Sequence, residues 1–138
     1  MTRAQLGTLA GYTPSGGTFG TYFGTLKRHG LLTETAQGDV EITAAGLAYL
    51  GSDVPPAPHT TAELLAMWQR GLKGGAWRML EALVQEYPNV FSREALGERT
   101  GFSPTGGTFG TYLGILRRNG LIEVEGLQVR ASQTLFLE

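Results

Sequence analysis

Two strings in this chain set cations, hydroxyls and glycines in one repeating pattern. Residues 11–32 read GYTPSGGTFGTYFGTLKRHGLL and residues 101–122 read GFSPTGGTFGTYLGILRRNGLI. Lys27-Arg28 and Arg117-Arg118 stand near their ends, and neither string holds an acidic residue. A paired cation in acid-free surroundings attracts a polyanion, the phosphate backbone of duplex DNA above all. The plainer account is that cations at a helix C-terminus offset the macrodipole. Ahead of the cations run small hydroxyls: Ser15, Thr18, Thr21 and Thr25 in the first string, and Thr105, Thr108 and Thr111 in the second, where Ile115 takes the fourth place. Hydroxyls contact phosphates and base edges but discriminate bases weakly. The side chains that read bases with two hydrogen bonds are missing ahead of the closing cations, so the contacts expected are sequence-tolerant. The plainer account of the threonines is an exposed, solubilised face.

Glycines form a second pattern. Gly17, Gly20 and Gly24, with Gly107, Gly110 and Gly114, recur at spacings of three and four. In a helix they line one strip without side chains, and each interior glycine costs about 0.8–1 kcal/mol relative to alanine. The expected return is close approach by another backbone, either a phosphate backbone or a neighbouring helix. For the second string the first is expected. For the first string a helix–helix seam is expected.

Other chemistry finds little support. Gly11-x4-Gly16-Gly17-Thr18 and Gly101-x4-Gly106-Gly107-Thr108 imitate a P-loop, but glycine stands where lysine must neutralise the phosphates. His29 and His59 are the only histidines and lack carboxylates at ligand spacing, so no metal site is expected. No nucleophile and base are paired. The expectation is a non-enzymatic chain without cofactor or small-molecule substrate.

The strings are related by an offset of 90, with 14 of 22 positions identical, so the chain repeats one unit twice. Phe19, Tyr22, Phe23 and Leu26, matched by Phe109, Tyr112, Leu113 and Leu116, fall at helical spacing and predict a buried face. The spacing predicts helices over 14–29 and 104–119, opened by Thr13-Pro14 and Ser103-Pro104 and closed by Gly30 and Gly120. In the second copy a helix over 76–87 and a short one over 93–100, capped by Ser92 and ended by Gly101, come first. A hairpin turning at Glu125-Gly126 follows. The first copy has a short helix opened by the capping box Thr2 to Gln5, then the long helix, a hairpin turning around Gln37-Gly38-Asp39, and a closing helix over 44–50. The counterpart of helix 76–87 is missing. Residues 52–60 are a proline-rich linker. Helix 61–72, with Leu64, Leu65, Trp68 and Leu72 on one side, is expected to bridge the copies or to cover the open flank of the first. The fold class expected is mainly α with small hairpin wings: two tandem winged helix-turn-helix units, 1–51 and 61–138.

The net charge of −1 and pI near 6.1 argue against a dedicated nucleic-acid binder, whose domain is more often basic. The acidic residues of both hairpins (Glu34, Asp39 and Glu41; Glu123 and Glu125) argue against hairpin contacts with phosphate. The 138 residues contain no cysteine, no apolar run near ~20 residues and no secretory signal, which predicts a cytoplasmic protein without membrane contact.

The ending L-[KR]-R-x-G-L-[LI] at 26–32 and 116–122 resembles winged helix-turn-helix domains. The fuller string Y/F-[TS]-P-x-G-G-T-F-G-T-Y-x-G-x-L-[KR]-R-x-G-L is similar to a segment near the C-termini of bacterial P-loop ATPases, HerA-like ones included, and of related bacterial proteins. The resemblance implies an accessory module within a larger protein. Two functions follow as expectations: binding of duplex DNA through the two long helices, or binding of a protein partner or a second copy.

Overall fold

The computed structural model describes residues 1–51 and 57–137, so most of the expected linker lies outside the described residues. The fold is mixed α/β. The described residues hold seven α-helices and two small antiparallel sheets, in two compact units, Met1–Ala57 and Pro58–Glu138.

In the second unit, α4 (Thr61–Gly71) starts where the Thr60 hydroxyl accepts from the Glu63 amide, and the Glu63 carboxylate accepts from the His59 amide in return. Helix α5 (Gly74–Gln85) buries Ala76, Met79, Leu80, Ala82 and Leu83, a stripe that recurs every three to four residues. Strand β3 (Phe91–Ser92) leads into α6 (Arg93–Thr100), where Ser92 caps the Ala95 amide and Gly101 adopts the left-handed conformation, φ +82°. Helix α7 (Gly107–Arg118) follows, then β4 (Ile122–Glu125) and β5 (Gln128–Ala131). The hairpin pairs Glu125 with Gln128, so the loop is Gly126-Leu127, one residue later than expected. Gly126 takes φ +61°, which a two-residue loop with glycine first requires. Strand β3 pairs with the far edge of β5 and makes a third strand, which its two residues had not advertised. The core lies where α5, α6, α7 and this sheet meet, with Phe109, Leu116, Leu121, Val129 and Leu135 almost wholly enclosed.

The first unit has α1 (Arg3–Leu9) with its reciprocal capping box intact, α2 (Gly17–Arg28), β1 (Leu32–Glu34), β2 (Val40–Ile42) and α3 (Ala44–Leu50). Among its described residues only Phe19 and Phe23 are buried hydrophobic side chains, against sixteen in the second unit. The two copies therefore differ where equivalence was expected. Phe19 and Phe109 are both buried, but Tyr22 is 53% exposed where Tyr112 is half-buried, and Leu26 is 39% exposed where Leu116 is wholly enclosed. The cause is α5, which lays its backbone at Gly75 against the Tyr112 ring and has no counterpart in the first unit. Trp68 and Leu72 are buried, as the stripe predicted, but α4 packs on α5 and on the 3-10 turn Gln133–Leu135 of the second unit, and its Thr61 hydroxyl accepts from the Leu137 amide.

The long helices also begin three residues later than expected. Thr13 and Ser103 do not cap them. Their carbonyls accept from the amides of Gly16 and Gly106, closing tight turns with proline second and glycine fourth. Those prolines press on the preceding helix. A Cβ on Gly7 would lie 3.0 Å from the Pro14 ring, and one on Gly97 would lie 2.6 Å from the Phe102 carbonyl and 3.0 Å from Pro104.

Two outcomes follow for folding. Gly97→Ala gains helix propensity but drives a methyl into backbone, so it should destabilise the second unit by about 1–2 kcal/mol net in chemical denaturation. Trp68→Ala should destabilise that same unit by about 3–5 kcal/mol and leave the melting of the sparsely cored first unit unchanged. Following amide exchange within each unit distinguishes this from a Trp68 that supports the first.

Candidate nucleic-acid interface

The apolar face of α7 is spent on the core, so its other face determines what the helix can meet. That face carries Thr108, Thr111, Arg117 and Arg118, all exposed, with Gly107 and Gly110 between them. A Cβ built on Gly107 or Gly110 meets nothing within 4 Å, and one on Gly114 meets only the Arg118 guanidinium at 3.9 Å. The side chains of Arg117 and Arg118 have no hydrogen-bond or ion-pair partner among the described residues. Thr105 stands apart, in the turn ahead of the helix, 3.4 Å from the Ser103 hydroxyl.

Helix α2 presents the same face with its groups more engaged. Thr18 and Thr21 are exposed, and Ser15 sits in the preceding turn. The Thr25 hydroxyl donates to the Thr21 carbonyl at 2.9 Å and accepts from Arg28 at 3.2 Å. Lys27 pairs with Glu34 at 3.3 Å, an exposed contact worth about 1 kcal/mol or less. The expected helix–helix seam is absent from this unit: a Cβ on Gly20 would meet only the Arg3 guanidinium at 3.7 Å, and one on Gly24 only that of Arg28 at 3.7 Å. The unit's open flank is the Tyr22–Leu26 side of the helix, not its glycine side. Neither strip is a site of close approach within its own unit. The glycines that do admit close neighbours are Gly7, Gly16, Gly46, Gly75, Gly97 and Gly106. Gly17 and Gly107 occupy first helical positions, so two glycines per helix, not three, carry the interior penalty.

The hairpins are acidic, and three of their five acids, Glu34, Asp39 and Glu123, have a cationic partner. Arg130 donates to Glu123 at 2.6 Å, and that hydrogen bond, then the carboxylate's charge, holds the guanidinium pKa above its ordinary value. Asp39 faces the N-terminal ammonium at 3.8 Å. The P-loop imitation fails on geometry as well. The segment Gly11–Thr18 follows a helix rather than a strand, and the hollow it lines contains no cation.

Sequence reading missed two residues beside these faces. Arg3 and Arg93 open α1 and α6, and Arg93 joins Gly110, Leu113, Gly114, Arg117 and Val124 around a hollow of about 210 Å³. The signal was present: Arg3/Arg93, Leu6/Leu96 and Gly7/Gly97 are identical at the same offset of 90, outside the long strings.

No protein-family model, curated protein or solved structure matches this chain. No helix among the described residues is long and apolar enough to cross a membrane.

Because nothing in its own unit touches it, Gly110 should accept a methyl. Gly110→Ala should raise stability by about 0.8–1 kcal/mol in denaturant titration and leave the mass by light scattering unchanged. A loss of stability or of assembly would show that a partner's backbone sits on the strip.

Proposed function

We propose that the chain is a non-enzymatic DNA-binding module made of two winged helix-turn-helix units, with α6–α7 and α1–α2 as the helix-turn-helix pairs and the two hairpins as wings. The observation that carries this reading is the outward face of α7: glycine, threonine and two unpartnered arginines, on a stretch of 22 residues with no acid. Such a face admits a phosphate backbone to the helix surface and holds it by charge and hydroxyl contacts. Ahead of the arginines it lacks the side chains that distinguish bases, so binding is sequence-tolerant. The acids of the wings, Glu41 and Glu125 among them without an ion pair among the described residues, disfavour phosphate there and leave the contact to the helices. The similarity of the long string to segments of HerA-like ATPases supports a role as an accessory module beside an engine that acts on DNA, in the cytoplasm of a bacterium.

A second reading has its own observation. Tyr22, Leu26, Leu47, Tyr49 and Leu50 of the first unit are exposed, while in the second unit the counterpart of Tyr22 is half-buried against α5 and that of Leu26 is wholly enclosed. Exposed apolar side chains of this kind suit a protein partner or a second copy.

The test is anisotropy of labelled duplex and single-stranded DNA over a salt series, beside light scattering for mass. Each phosphate neutralised contributes about 0.9 to the log–log salt slope on duplex DNA. Arg117→Glu with Arg118→Glu should weaken binding to unrelated duplexes to a similar degree and lower the slope by about 2. A wild-type chain that does not bind at low salt, yet self-associates or captures a partner, selects the second reading.

A further inference from the structure

The two units carry the same six positions along one flank of their long helices, and they use them differently. At the offset of 90, Arg3, Gly20, Phe23, Gly24, Lys27 and Glu34 correspond to Arg93, Gly110, Leu113, Gly114, Arg117 and Val124. In the first unit both cations are already engaged. The Arg3 guanidinium lies 4.6 Å from the centroid of the Phe23 ring and 5.7 Å from that of Phe19, and it reaches the Gly20 strip. Lys27 pairs with Glu34 and lies 5.7 Å from the same Phe23 ring. In the second unit two exchanges release them. Leucine at 113 removes the nearer of the two rings, and valine at 124 removes the carboxylate. Arg93 and Arg117 therefore face a hollow of about 210 Å³ with no acid in its lining and no partner of their own among the described residues.

We infer that this hollow is a phosphodiester-binding notch, with Arg93 and Arg117 as its two arms, and that only the second unit holds one. The inference rests on the DNA-binding reading and adds a residue and an asymmetry to it. Two guanidinium groups converging on one hollow match the oxygens of a phosphate, which they bind with charge-assisted hydrogen bonds. The missing side chains at Gly110 and Gly114 leave the depth for a backbone phosphate to reach both arms. The Arg3 set is the same construction closed on itself.

The experiment compares Arg93→Ala, Arg3→Ala and Val124→Glu in the full chain by duplex-DNA anisotropy over a salt series, with melting curves to check folding. Arg93→Ala should weaken binding about tenfold at low salt and lower the salt slope by about 1, and Arg93→Lys should restore the slope but not the full affinity. Val124→Glu rebuilds the first unit's ion pair on Arg117 and should likewise lower both. Arg3→Ala should lower the melting of the first unit and leave DNA affinity within about twofold, since its cation is already engaged. Wild-type binding that persists unchanged in Arg93→Ala overturns the notch while leaving the DNA reading intact. Equal losses from Arg3→Ala and Arg93→Ala overturn the asymmetry. A wild-type chain that binds no duplex overturns both readings.

Discussion

Helix α7 cannot stand by itself, and much of the second unit follows from that. Two interior glycines cost it about 2 kcal/mol of intrinsic helix stability relative to alanine, and its first residue is a glycine without a capping side chain. What holds it is burial of Phe109, Leu113 and Leu116 under α5 and the hairpin. Once that face is committed to the core, the opposite face is free of any structural duty and can remain without side chains. Rigidity from one side permits an open surface on the other.

The first unit shows what the same string does without that cover. Helix α2 is as glycine-rich as α7, yet Tyr22 and Leu26 remain exposed and only two phenylalanines are buried. The unit compensates locally. Arg3 stacks over Phe23 and Phe19, and Lys27 reaches Glu34. These contacts consume the groups that, in the second unit, stay outward. Divergence at a few positions has thus given two copies of one scaffold different surfaces: one charged and open, one self-paired and apolar at its flank.

The steric economy of the turns between helices links the two. Thr13-Pro14 and Ser103-Pro104 read in sequence as helix openings, because a hydroxyl followed by proline fits that role. They fit a tight turn equally well, and the turn prevails because proline then packs into the hollow left by Gly7 or Gly97 on the preceding helix. That contact sets how closely α1 approaches α2 and α6 approaches α7, and so where Arg3 and Arg93 lie relative to the long helices. An added methyl at Gly97 would act on the notch as well as on the fold.

Much of this was legible in the sequence, because it depends on local chemistry and on repetition. The offset of 90 announced two copies. Apolar spacing placed α4, α5 and α7. Ser92, Gly101 and the Thr2–Gln5 capping box marked ends that the backbone must honour whatever surrounds it. Glycine at 38 and 126 marked the hairpin turns to within a residue. What the sequence could not decide were questions of distance between segments far apart in the chain. Whether a glycine strip faces a helix or open space depends on the element opposite it, and periodicity carries no information about that element. The address of α4 was hidden for the same reason: an amphipathic stripe states that a face is buried, not against what. The pairing of Lys27 with Glu34, and its absence at Arg117 beside Val124, required the hairpin folded back over the helix. Only the tertiary structure brings those strands within reach, so only it separates a cation that is engaged from one that is free.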